Sequence, residues 1–214
     1  MAGIGAGNGV VSEPVEALLF DFGGVTTEID FGRVVRRWSE FAGRDLAPLW
    51  KAYVPGETYF QHERGEISDA AFFDSLRREF GVDLTDEQFL DGWNAIFIGV
   101  YPQIDAQLKA AAARMPVYAF TNTNRAHEAF WSVAYAGMAA HFRKVFVSST
   151  IGLRKPDREA FDHVCREMGV PAGRVLFFDD SLTNIEGARA AGLQTVHVRS
   201  NADVAAALAA LPGA

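Results

Sequence analysis

An α/β fold built on a parallel sheet, with a helical block inserted after its first strand, is the architecture this chain predicts. Three observations predict it. Four short apolar runs, at residues 18–20, 117–120, 145–147 and 175–178, are continuous rather than alternating, as strands covered on both faces are. From Tyr101 onward, helical patterns alternate with such runs, which is the signature of βαβ units with right-handed crossovers. From Phe31 to about Phe97, by contrast, the periodicity is helical and no strand-like run occurs.

Met1 to Pro14 is rich in Gly and Ala. It has neither a basic n-region nor an apolar h-region, so a disordered tail is expected rather than a secretory signal. Gly3, Gly5 and Gly7 make no dinucleotide loop, because no strand precedes them. Leu18, Leu19 and Phe20 then deliver Asp21 to a strand end, and Gly23 and Gly24 allow a sharp turn or close approach to a ligand. Phe31, Val34, Val35, Trp38 and Phe41 recur at helical spacing, and Gly43 stops that helix. Asp45 can cap a second helix carrying Leu46, Leu49, Trp50 and Tyr53. A polar loop is expected through Gly56 to Gly65. Ser68 caps a third helix with Phe72, Phe73, Leu76 and Phe80, closed by Gly81. Thr85 and Gln88 form a capping box for a fourth, carrying Phe89, Leu90, Trp93, Ile96 and Phe97. Four amphipathic helices make a small bundle, and their aromatic stripes read as its core.

Past the block, helices are expected at 102–113, at 125–134 with Asn124 as the cap, at 157–168 with Pro156 in the first turn, up to Ala191, and at 202–211. A last strand covers 195–198. Residues 15–30 and 101–214 thus form the α/β core, and 31–100 an inserted helical domain over the carboxyl edge of the sheet.

Charge and composition narrow the function. The net charge is −7 with no basic run, which argues against nucleic acid and anionic membranes as partners. No apolar run approaches the roughly 20 residues of a membrane span. Cys165, the one cysteine, lies in a helical pattern and reads as a small buried hydrophobe in a reducing compartment. A cytoplasmic protein is expected.

Ligands of open α/β sheets gather beyond the carboxyl ends of the strands. Those ends carry Asp21, Thr121 with Asn122, and Asp179 with Asp180, and the loop after the third run leads to Lys155. Taken alone, Thr121 and Asn122 could cap a helix and Lys155 could be a solvated surface residue. Pro156 after it holds it extended, so it can project into the crevice. Together they bring up to three carboxylates, an ammonium, a hydroxyl and an amide to one crevice. Carboxylates so close repel unless a cation joins them. Oxygen ligands beside a lysine suit Mg²⁺ with phosphate oxygens, a set fit for phosphoryl transfer.

Asp-Phe-Gly-Gly-Val at Asp21, Thr-Asn-Thr-Asn at Thr121, Arg-Lys-Pro at Arg154 and Phe-Phe-Asp-Asp at Phe177 resemble, in this order, the motifs of the haloacid dehalogenase (HAD) superfamily. The segment Gln61-His62-Glu63-Arg64-Gly65-Glu66-Ile67-Ser68 further resembles the bacterial sugar-phosphatase branch that includes α-D-glucose-1-phosphate phosphatase. The resemblance implies a Rossmann-like core with a C1 cap. It implies a phosphatase acting on a small phosphorylated metabolite, a sugar phosphate such as glucose 1-phosphate, with Mg²⁺ as cofactor. Asp21 would be the nucleophile and form an aspartyl-phosphate. Asp21, Asp180 and the Gly23 carbonyl would hold the metal, with Asp179 supporting its shell. Thr121, the Asn122 amide and Lys155 would bind phosphate. Asn184 falls where many relatives carry a second acid, and its neutrality lowers the negative charge around the metal. One departure stands out. Gly23 occupies the place of the family's acid–base aspartate, a group worth about 10²–10⁴ in rate. Glu28, Asp30, His62 and Glu63 could substitute by chemistry. Two other readings follow from the same residues: a phosphate- or partner-binding protein with little turnover, because Gly23 lacks that aspartate, and a 2-haloacid dehalogenase, which the adjacent Asp179 and Asp180 argue against.

Overall fold

The computed structural model describes residues 14–211. The expected tail, Pro14 apart, lies outside the described residues. The strands are β1 (Ala17–Phe20), β2 (Thr27–Ile29), β3 (Phe97–Val100), β4 (Val117–Thr121), β5 (Val145–Val147), β6 (Val175–Asp179) and β7 (Gln194–His197). Five of them form a parallel sheet in the order β5-β4-β1-β6-β7. β1 therefore lies at the centre, between β4 and β6.

The continuous apolar runs follow from this central position. Alternate side chains along a strand point to opposite faces. Leu18 and Phe20 of β1 enter one core with Val117, Ala119, Leu176 and Phe178, while Ala17 and Leu19 enter the other with Tyr118, Phe120, Val175 and Phe177. Both faces are covered, so both sets must be apolar. Phe20 and Phe178 stack across the β1–β6 pair at 4.3 Å.

The helices before β3 are α1 (Phe31–Ala42), α2 (Ala47–Ala52), α3 (Glu57–Glu63), α4 (Asp69–Phe80) and α5 (Asp86–Asn94). After it come α6 (Ile104–Ala112), α7 (Arg125–Ala134), α8 (Ala136–Ala139), α9 (Ser148–Ile151), α10 (Arg158–Met168), α11 (Leu182–Ala190) and α12 (Asn201–Ala210). α6, α7, α8 and α12 supply one face of the sheet, and α10 and α11 the other. Cys165 is buried in the second of these cores. Among the described residues no helix is long and apolar enough to cross a membrane.

Four features differ from the sequence expectation. The inserted block holds five helices, not four, because the expected polar loop at 56–65 contains α3. Its polar residues hide a helical period, and contacts to the core after β5 hold its end. Phe97 belongs to β3, not to the fourth expected helix, and β3 pairs antiparallel with β2. That pairing is long-range and invisible to local periodicity. The two short helices α8 and α9 carried too little pattern to predict. Pro156 precedes α10 instead of sitting in its first turn.

The caps largely follow their residue types. Ser68 accepts from Ala71 at 3.2 Å and Asn124 from His127 at 3.0 Å; at α2 the cap position falls on Leu46, and Asp45, one residue before it, accepts from the Ala47 amide at 2.9 Å. Thr85 and Gln88 make the capping box.

The β2–β3 ribbon leads the chain out of the sheet and back. Beyond it the five helices enclose a separate aromatic core around Trp38, Phe72, Phe73, Phe89 and Trp93. The Trp38 and Trp93 rings stack at 5.8 Å, and the Trp38 Nε1–H donates to the Phe89 carbonyl at 3.0 Å. α1 and α5 come close at Gly92, where a Cβ would stand 2.2 Å from Trp38 Cδ1. Trp38 is buried and cannot swing away.

His127 joins core to cap. Its ring stacks on Trp93 at 4.9 Å, and its Nε2 lies 3.1 Å from the Trp93 carbonyl. A carbonyl only accepts, so Nε2 carries the hydrogen, and Nδ1 is left to accept from the Asn124 amide at 3.3 Å. A second ring proton would face that donor. Burial pushes the His127 pKa down to about 3.

Two outcomes follow. Gly92→Ala is expected to destabilise by about 1–3 kcal/mol in urea denaturation through overpacking. Gly99→Ala, where a Cβ meets nothing within 4 Å, is expected to stay within about 0.5 kcal/mol; equal effects would contradict the steric account. For His127, the unfolded imidazole takes up a proton below pH 6.5 that the folded one refuses down to about 3. Stability is therefore lost as pH falls through that window, by about 2 kcal/mol at pH 5 from this group. Unfolding free energies from urea titrations at pH 7 and pH 5 should differ less in His127→Gln by that amount.

Candidate active site

Asp21 leaves β1 at the carboxyl edge of the sheet. Its amide donates to the Phe178 carbonyl at 2.9 Å, which extends the β1–β6 pairing by one residue. The turn behind it is closed on one oxygen. The Phe22 carbonyl accepts the amides of Thr26 and Thr27 at 2.8 Å and both threonine hydroxyls at 3.0 Å. Both threonines are fully buried. The Asp21 carboxyl is fixed in turn, since its Oδ1 accepts from the Phe22 amide at 2.6 Å and from Lys155 at 2.9 Å.

Lys155 is the centre of the constellation, with no exposed surface. Its Nζ donates to Asp21 Oδ1 and, at 2.8 Å, to Asp179 Oδ2. It also lies over the Phe120 and Phe177 rings, 5.4 Å from each centroid. Burial works against the ammonium, but Asp179 and Asp21 outweigh it and hold its pKa above the ordinary value. Asn122 positions the backbone that carries it. The Asn122 Nδ2–H donates to the Lys155 carbonyl at 2.8 Å, and the Lys155 amide donates to Asn122 Oδ1 at 2.9 Å. Lys155 is thus an interior group, and Asn122 clamps it instead of capping α7.

Asp179, at the end of β6, is completely buried. It accepts from Lys155, from the Ser181 amide at 2.8 Å and from Asn184 Nδ2 at 3.1 Å. The neutral Asn184 thereby satisfies this carboxylate where another acid would repel it. Thr121, at the end of β4, is also buried. Asp180 packs against the turn after β1. A Cβ on Gly24 would stand 2.3 Å from Asp180 Oδ2, and Gly24 has φ +76°. Glycine is required there by sterics and by backbone conformation alike.

One carboxylate oxygen from each of Asp21, Asp179 and Asp180 lies within 4.8 Å of the others. Burial is the largest cause of an Asp21 carboxyl pushed up to about 8; Lys155 pulls it down, and Asp179 and Asp180 add to the rise. Asp180 is raised by burial and then by Asp179. Such a crowded all-oxygen set fits a hard divalent cation. Because Asp179 is occupied by three donors, Asp21 and Asp180 remain to receive one.

Beside this cluster opens a small crevice of about 80 Å³. Phe22, Gly23, Thr121, Asn122 and His127 line it from the core, and Tyr59 and Glu63 from the cap. It suits a small group rather than a polymer. Glu63 is tied to the core twice: its carbonyl lies 2.6 Å from Ser148 Oγ, and its Oε2 accepts from Arg154 at 2.8 Å. No sequence pattern marks Ser148 or Tyr59 as part of this site. Arg154 stood in a quoted motif, which was the one available signal.

Residues 15–192 match the family of haloacid dehalogenase-like hydrolases. The chain is 25% identical to D-ribitol-5-phosphate phosphatase of Bacteroides thetaiotaomicron over 198 residues, 88% of this chain and 94% of that protein. It is 31% identical to a phosphatase of Mycobacterium tuberculosis over 188 residues, 84% of this chain and 85% of that one. A HAD family enzyme from Bacteroides thetaiotaomicron, solved with magnesium and inorganic phosphate, has a TM-score of 0.71 at 26% identity, covering 85% of this chain and 92% of its own. The sheet order, the inserted cap and the match over most of its length agree: the chain belongs to the haloacid dehalogenase-like hydrolase family.

Proposed function

We propose that this protein is a Mg²⁺-dependent phosphatase that hydrolyses a small sugar phosphate through an aspartyl-phosphate on Asp21. The observation that carries the reading is the buried Lys155 held between Asp21 and Asp179, with Asp180 completing the carboxylate cluster. Its similarity to a ribitol phosphate phosphatase supports the substrate class, and glucose 1-phosphate falls within it.

Each residue has a distinct task. The bonds from Phe22 and Lys155 orient the Asp21 carboxyl for attack on phosphorus. Lys155, fixed by Asn122, keeps its positive charge beside the transferring phosphoryl group. The Thr121 hydroxyl and the Asn122 amide hold phosphate oxygens. Asp21, Asp180 and the Gly23 carbonyl would hold Mg²⁺, supported by Asp179. When bound, the ion supplies positive charge that screens the carboxylates from the phosphate. Asn184 holds Asp179 in place by donating to both its oxygens. The cap, joined to the core through Glu63 and His127, bounds the crevice and limits the leaving group to a small one.

Purified protein is expected to release phosphate from a panel of sugar and sugar-alcohol phosphates with Mg²⁺, to lose that activity on chelation, and to lose it in Asp21→Asn. Release by Asp21→Asn at the wild-type rate would refute the nucleophile. No release from any substrate would leave the phosphate-binding reading.

A further inference from the structure

Gly23 leaves the site without the side chain that would exchange protons with the leaving group and the attacking water. Four groups could serve by chemistry, and the fold separates them. Glu28 and Asp30 are exposed, and Asp30 is engaged in capping α1 through the Gly32 amide at 2.7 Å. His62 is buried but faces the cap interior, stacked on Phe72 at 4.2 Å and bonded to Asp69 at 2.7 Å. Glu63 alone of the four lines the crevice with Gly23, Thr121 and Asn122.

We propose that Glu63, reaching in from the cap, acts as the general acid and general base of phosphoryl transfer in place of the side chain absent at Gly23. The proposal rests on the phosphatase reading. In the first half-reaction a carboxylate oxygen of Asp21 bonds to phosphorus. The bond from phosphorus to the ester oxygen breaks with its electron pair, and Glu63 gives that oxygen a proton. In the second, ionised Glu63 takes a proton from water as the water oxygen bonds to phosphorus and the Asp21–phosphorus bond breaks. The proton given in the first half is regained in the second, so Glu63 returns to its starting form.

The geometry suits this exchange. Glu63 is 6% exposed and is the last residue of α3. Its contacts with Ser148 and Arg154 pin this end of the cap to the core. Arg154 lies over the Phe60 ring at 4.3 Å, so it is itself held. Just beyond, Gly65 has φ +71° and approaches the Ser149 carbonyl so closely that a Cβ would stand 2.2 Å from its oxygen. The charged and titratable groups facing Glu63 are Arg154, Lys155 and Tyr59. Burial raises its carboxyl, and Arg154 ahead of Lys155 and Tyr59 draws it back. A carboxyl held between these influences can both give and take a proton.

The test is the dependence of rate on the leaving group, with Mg²⁺ present. Wild type is expected to show a shallow fall in kcat/KM across substituted phenyl phosphates as the leaving phenol becomes less acidic. Glu63→Gln, which keeps an acceptor for Arg154, should steepen that fall. It should cut kcat on sugar phosphates by about 10²–10⁴, while p-nitrophenyl phosphate, whose leaving group needs no proton, still gives a burst of one nitrophenolate per active site. Adding Gly23→Asp to Glu63→Gln should restore at least part of the lost rate. A Cβ at Gly23 would stand 2.9 Å from Ile29 Cδ1, the end of a flexible side chain, which has only to shift to admit it. A change confined to KM, equal losses of kcat/KM on all leaving groups, or no loss would overturn the proposal. If Glu63→Gln does not fold, the wild-type slope decides, and a steep one overturns it. A wild type that hydrolyses nothing overturns the phosphatase reading; an active wild type that fails these tests overturns the role of Glu63 alone.

Discussion

A single ammonium group organises the site. Lys155 lies wholly inside the protein, and two carboxylates from neighbouring strands, Asp21 and Asp179, hold it there. Removing one partner from a buried pair costs about 3–5 kcal/mol, because the remaining charge is stranded. The arrangement therefore constrains its surroundings. β1 and β6 must be adjacent so that both acids reach one nitrogen. Asn122 holds the Lys155 backbone, and Asn184 adds its amide to the donors that face Asp179. The parallel sheet supplies the adjacency and the common direction of the strand ends.

The cap depends on the core at a few defined points. The β2–β3 ribbon carries the chain across, and the cap then returns to the core at His127 and at Glu63. Both contacts join side chains of one unit to backbone carbonyls of the other. The crevice is thus bounded by core on one side and cap on the other.

Most of the sheet was legible because its strands are buried on both faces, which leaves unbroken apolar runs ending in polar residues. The convergence of Asp21, Thr121, Lys155 and Asp180 followed from parallel topology alone. The less legible parts depend on distant contacts. β3 is a strand because β2 lies beside it, and α3 holds because Ser148 and Arg154 grip its last residue. The Asn122 clamp links residues on different loops, and no local pattern announces it. Of the four groups that could replace an acid at Gly23, only tertiary structure distinguishes Glu63, since His62 next to it points into the cap core.

The neighbouring glycines differ in what selection can do with them. Gly24 is locked, because any side chain would displace the Asp180 carboxylate and require an unfavourable backbone besides. Gly23 carries no such backbone constraint, and a Cβ there would press only on the end of the Ile29 side chain, 2.9 Å away, which can give way. A side chain at position 23 therefore asks one flexible neighbour to shift, whereas one at position 24 asks the turn to be rebuilt around Asp180.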